Sequence, residues 1–216
     1  MITRLSVPGL AVAAALALAP EAAAHPHVFI DGGVDFLFDA EGRVASLRVT
    51  WIYDELNSLF MFEDLGIAAD APAPLPAADR ARLAAWQTDW FPEFEGDSYL
   101  WDGDRRIGLS RPRAADAEIR DGRAVISFLR DVEAPFRPGP ETVVKIYDPT
   151  YFTAYAVTDA PRLEGAAGGC SARVVPFAPT APLTALQQQL SAIPIDRDPE
   201  EEVGALFAER VFVACD

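Results

Sequence analysis

The chain has 216 residues, of which 33 are Asp or Glu and 18 are Lys or Arg, for a formal charge of −15. Nucleic acid is excluded as a natural partner by that balance, because neutralising a phosphate backbone takes a basic patch. Half of the residues are hydrophobic, and 14 Gly with 18 Pro are too few for a low-complexity tail, so a folded chain is expected.

The chain opens with Arg4, an apolar run over residues 5–19 and the small-residue triplet Ala22-Ala23-Ala24, the pattern of a secretory signal peptide cut after Ala24. Moving the cut back by one or two residues places Glu21 or Pro20 where a small side chain is required, which sets the register. Pro8 and Gly9 interrupt the run, and it is short for a bilayer span. Residues 1–24 therefore read as a signal peptide. Residues 25–216 read as one exported domain with no stable membrane insertion after cleavage. Export bears on the cysteines, since Cys170 and Cys215 are the only two. An oxidising compartment favours a bond between them, with Cα atoms about 4.4 to 6.8 Å apart, tying the C-terminus to the loop at 165–169.

In the mature segment, Val34, Phe36 and Phe38 alternate with polar residues. After Glu41-Gly42, Leu47, Val49, Trp51 and Tyr53 do the same, which predicts a β-hairpin with an apolar inner face. Leu56, Leu59, Phe60 and Phe62 then follow helical spacing, a Pro/Ala loop carries Pro72, Pro74 and Pro76, and a second helix runs past Asp79 with Leu83, Trp86 and Trp90 on one face. From Tyr99 short strands return, punctuated by Asp102-Gly103 and Asp121-Gly122, dipeptides suited to tight hairpin turns. The strongest strands are 125–129, 142–147 and 152–157, with 172–175 a further one. Helices are expected at 182–191 and 199–209, and a last strand at 211–214. The class is α+β: a mainly antiparallel sheet of short strands with several packed helices.

The two histidines of the whole chain, His25 and His27, become residues one and three once the leader is removed. In an extended segment, residues two apart project to the same side, so both imidazoles can face one ion. Cleavage adds the α-amine of His25, which can chelate together with its own ring. Pro26 has no N–H to ionise and so excludes the four-nitrogen square-planar site of amine-terminal peptides with histidine third. Carboxylates are the natural remaining ligands, and the candidates are Asp54, the adjacent Glu55, and Asp148. Asp54 also suits a helix cap, and Asp148-Pro149 a turn. The nitrogen and oxygen ligands admit Zn(II), Ni(II), Co(II) or Cu(II) without choosing among them.

Four motifs in order resemble an uncharacterised family of bacterial periplasmic components encoded beside nickel/cobalt-type exporters. They are His25-Pro26-His27-Val28-Phe29, Trp51-Ile52-Tyr53-Asp54-Glu55 with Ser58, Tyr147-Asp148-Pro149-Thr150-Tyr151-Phe152, and Gly204-Ala205-Leu206-Phe207 leading to Cys215. The resemblance covers nearly all of the mature chain and implies a periplasmic location, transition-metal handling and a membrane metal transporter as partner. In that family an acidic loop like an EF-hand joins the two helices. Here Ala68, Asp70, Pro72, Ala73 and Asp79 fall at its positions one, three, five, six and twelve. The first carboxylate and the turn glycine are missing, so no calcium site is expected.

The leading expectation is a non-enzymatic metal-binding accessory. A copper oxidoreductase built on an amine-plus-imidazole brace would call for a further histidine, and the chain has none. A metal-free interaction module would use the aromatic segments 86–94 and 151–155. Hydrolase chemistry has no G-x-S-x-G elbow to stand on, and the neighbouring Asp54 and Glu55 would point apart in a strand.

Overall fold

The computed structural model describes residues 25–71, 73–194, 197–199 and 201–216; the expected signal peptide and Pro72 of the inter-helix loop lie outside them. The alternating residues of the first hairpin form β1 (Val28–Phe38) and β2 (Val44–Tyr53), antiparallel with Val34 opposite Val49 and Phe36 opposite Leu47. The two-residue period sends Leu47, Val49, Trp51 and Tyr53 into the core. Gly32 in β1 has φ of 141°, and a Cβ there would lie 2.0 Å from the Thr50 carbonyl oxygen.

β2 pairs on its other side with β6 (Arg123–Phe136), which pairs with β5 (Arg113–Arg120). The turn between β5 and β6 is Asp121-Gly122, both at positive φ, as that dipeptide predicts. β1 pairs in parallel with β8 (Thr153–Val157) and with the short β9 (Leu163–Glu164). A second sheet has the order β10 (Cys170–Val175), β11 (Glu209–Cys215), β7 (Thr142–Ile146), β3 (Ser98–Asp102) and β4 (Arg105–Ile107). One apolar core joins Phe36, Trp51 and Phe128 of the first sheet to Leu100, Val144 and Val211 of the second. The class is α+β with mainly antiparallel pairing, as expected.

Three corrections concern the helices. α1 (Glu55–Leu65) begins at its Asp54 cap and stops at Gly66 in the left-handed region. It buries Ser58, Met61 and Phe62, and leaves Leu56, Leu59 and Phe60 exposed. α2 (Ala77–Thr88) buries Leu83, but Trp86 stays 45% exposed and Trp90 lies beyond the helix end, where it is buried by the turn that follows. α3 (Ala181–Leu190) stands where a helix was expected. The segment expected as a helix at 199–209, of which Glu200 lies outside the described residues, holds only a 3-10 turn at Gly204–Phe207 before Glu209 opens β11. Glu209 pairs with Ile146 in the second sheet, and Gly204, bonded to the Pro149 carbonyl and pressed against that of Asp148, fixes the chain before it in a turn.

Cys170 and Cys215 are bonded. Their Cα atoms are 3.9 Å apart, closer than the expected range, because the two residues face each other directly across β10 and β11. The Asp216 N–H donates to the Gly169 carbonyl beside them, so the cysteines occupy a non-hydrogen-bonded pair, the narrowest position of an antiparallel ladder.

Candidate functional site

The N-terminal segment reaches its place through β8. Phe152 carbonyl oxygen accepts the His27 N–H at 2.8 Å, and from Val28 onward the two strands pair. The His25 and His27 ring centroids are 4.7 Å apart, and the Phe152 ring lies 5.9 Å from the first and 4.9 Å from the second. The two rings do lie side by side, but His25 sits at a bend ahead of a cis His25-Pro26 bond and not in the extended segment expected. His25 is buried, and its Nδ1 and Nε2, together with Nε2 of His27, have no hydrogen-bond partner among the described residues. Burial, and then the neighbouring His25, lower the His27 pKa and favour the neutral ring, the form that donates a lone pair.

The two carboxylates expected to complete the site are engaged elsewhere. Asp54 Oδ1 accepts the Asn57 N–H at 2.8 Å, and Oδ2 accepts the Phe29 N–H at 3.0 Å and the Asn57 side-chain amide at 2.8 Å. Burial alone would raise the Asp54 pKa, but the backbone N–H groups of Asn57 and Phe29 outweigh it and hold the carboxyl below its usual range. Asp148 Oδ1 accepts from the Thr150 N–H and hydroxyl, and Oδ2 from the Thr153 N–H at 3.1 Å. Asp54 thus ties the start of α1 to β1, just after the histidines, and Asp148 ties its own loop to the start of β8. Among the described residues no three or more His, Cys, Asp or Glu side chains gather into a group that could hold a metal. Glu55 is exposed in the first turn of α1.

The four motifs meet in space. Asp54 of the second holds Phe29 of the first, and Phe152 of the third packs on both histidines. The Gly204 N–H of the fourth donates to the Pro149 carbonyl, and Tyr151 stacks on Phe207 with centroids 4.1 Å apart. Tyr151, next to Phe152, has φ of 59°, a conformation that non-glycine residues seldom adopt and that often marks a constrained functional segment.

One residue that sequence reasoning missed lies at the centre of this end of the fold. Asp97 is 1% exposed, and its Oδ2 accepts from Trp51 Nε1 at 2.8 Å, the Tyr155 hydroxyl at 3.1 Å and Gln87 Nε2 at 3.2 Å. Burial raises the Asp97 pKa, against the opposing pull of the Arg130 charge. Arg130, itself buried, donates to the Ser110, Ser98 and Glu95 carbonyl oxygens and lies over the Trp90 ring. No local pattern around Gly96-Asp97 marks it, since its partners come from positions 51, 87 and 155.

Fold and site together define an α+β protein that presents a paired-histidine segment against the end of a parallel strand pair. The chain matches, over residues 10–215, the family described as "Protein of unknown function (DUF1007)", and it belongs to that family. No curated protein and no solved structure matches it. Among the described residues no helix is long and apolar enough to cross a membrane.

Proposed function

We propose that the protein is a periplasmic accessory that holds a divalent transition-metal ion at His25 and His27 and passes it to or from a membrane metal transporter. The observation that carries this reading is the pair of adjacent imidazoles with three buried nitrogens and no partner among the described residues. Burying such groups without a bond is costly, and a metal ion answers that cost. In the processed chain the His25 α-amine adds a further nitrogen. Asp54 or Asp148 would join only by giving up the loop bonds it now makes, which favours an open, exchangeable site over a closed structural one. The transporter partner and the periplasmic setting rest on the family resemblance, and the disulfide fits an exported chain. The ion is cargo and no reaction is assigned to it.

A second reading, a metal-free interaction module, draws on Leu56, Leu59 and Phe60 of α1, all more than half exposed. Titration of Zn(II), Ni(II), Co(II) and Cu(II) into three proteins at one pH separates the two readings. These are the chain starting at His25, the same chain with an added N-terminal Met, and His25→Ala/His27→Ala. The processed chain binds at least one ion tightest, the extended chain binds it more weakly through loss of amine chelation, and the double variant loses it. Affinity weakens as the pH falls through the imidazole range, because protons and metal compete for the same lone pairs. Unchanged binding by the double variant overturns the metal reading in favour of the interaction module. Equal binding by the extended and processed chains removes the amine from the site.

A further inference from the structure

Beside the histidine segment, but separate from it, lies a cavity of about 330 Å³ lined by Val28 and Ile30 of β1, by Thr153 and Tyr155 of β8, and by the chain from Trp86 to Asp97. Its walls are aromatic: Tyr53, Trp86, Trp90, Phe91, Phe94 and Tyr155 all contribute. Its charged lining residues are Asp89, Asp97 and Asp148, with no Lys or Arg among them. Asp97 is nine-tenths and more buried, and its Oδ1 has no hydrogen-bond partner among the described residues. The hydrogen bonds of Arg130 go to carbonyl and hydroxyl oxygens of Ser98, Ser110 and Glu95 and none goes to Asp97. The Arg130 charge acts on Asp97 without bonding to it, so a carboxylate that lines an aromatic cavity free of Lys and Arg and keeps one oxygen unpaired is set to accept a hydrogen bond from a positively charged donor.

We propose that this cavity binds a small organic cation bearing at least one N–H, a protonated primary or secondary amine, with its nitrogen on Asp97 Oδ1 and its carbon skeleton against the aromatic walls. A bare divalent ion is a poorer fit. It needs several oxygen or nitrogen ligands, and both oxygens of Asp148 are already bonded to Thr150 and Thr153. Anions are repelled by the three acids. A quaternary ammonium ion has no N–H for the free oxygen. Trp86 and Phe91, 45% and 62% exposed, form the mouth through which a ligand enters.

The test titrates benzylammonium, benzyl alcohol and tetramethylammonium into the purified chain, followed by tryptophan fluorescence and calorimetry, with ZnCl₂ as a competing arm. Benzylammonium is expected to bind saturably and about tenfold or more tighter than the other two, since only it offers a charged N–H donor. Asp97→Asn, of the same shape, lowers that affinity about tenfold or more while circular dichroism stays native. Should Asp97→Asn fail to fold, Trp86→Leu at the exposed mouth keeps the fold and weakens benzylammonium binding several-fold. The proposal is overturned by any of four results. These are benzyl alcohol binding as tightly as benzylammonium, no benzylammonium binding at millimolar concentration, a folded Asp97→Asn that binds it undiminished, and Zn(II) displacing it from His25→Ala/His27→Ala, where the histidine site is gone.

Discussion

Glu209 shows what a single buried carboxylate does to the pH dependence of the whole chain. It is buried at the start of β11, where Oε1 accepts the Phe177 N–H at 3.0 Å and Oε2 has no partner among the described residues. Burial raises its pKa above the ordinary 4.5, against the pull of the Phe177 and Val157 N–H groups. The folded chain therefore holds the Glu209 proton to a higher pH than the unfolded chain does. Stability from this group is fully present below 4.5 and is lost as the pH climbs through the raised folded value. Glu209→Gln flattens that slope, and urea midpoints of the two proteins measured from acid to neutral pH should converge at the acid end and separate above it. At this scale the histidines were legible in the sequence, because their rarity and their spacing are linear facts. Asp97 was not, because an isolated aspartate acquires its meaning from a tryptophan, a glutamine and a tyrosine far away in the chain.

Among the elements, α1 shows where periodicity stops being informative. Leu56, Leu59, Phe60, Met61 and Phe62 wrap apolar surface around most of its circumference, so several faces satisfy helical spacing equally well. Packing against the core selects Met61 and Phe62. Phe62→Ala should therefore cost about 3 to 5 kcal/mol, whereas Phe60→Ser stays within about 0.5 kcal/mol, read as denaturant midpoints at constant slope. The β10–β11 pair carries a covalent prediction. Its disulfide spans 45 residues, and in the chain-entropy treatment closing such a loop stabilises the fold by about 4 kcal/mol. Reduction, or Cys170→Ser/Cys215→Ser, should lower unfolding stability by an amount of that order, while alkylation of the unreduced denatured protein finds no thiol. The bond itself was foreseeable from two cysteines behind an expected signal peptide, but the narrow rung that brings the Cα atoms so close was not.

Across the whole molecule, the four motifs that lie up to 190 residues apart in sequence close on one another, and Gly204 is the tightest joint among them: a Cβ there would sit 1.6 Å from the Asp148 carbonyl oxygen. Gly204→Ala must push the segment 148–152 away and with it Phe152, the residue packed on both histidines. It should cost about 2 kcal/mol or more and move the histidine ring resonances in NMR spectra, whereas Gly139→Ala, with nothing within 4 Å of its Cβ, changes neither. A Gly204→Ala protein with unshifted histidine signals would show that the motifs touch without mechanical connection.

By itself the sequence determined the class, the first hairpin with its inward face, the Asp121-Gly122 turn and most of the strands. Each of these follows from interactions between residues within a few positions of one another, where backbone geometry dictates the outcome. Only the tertiary structure decided the parallel pairing of β1 with β8, the buried face of α1, the short turn in place of a last helix, and the engagement of Asp54 and Asp148 in loops. The Asp97 cavity belongs with these. Such features arise when distant segments compete to bury apolar surface and to pair their polar groups, and no local pattern records the result of that competition.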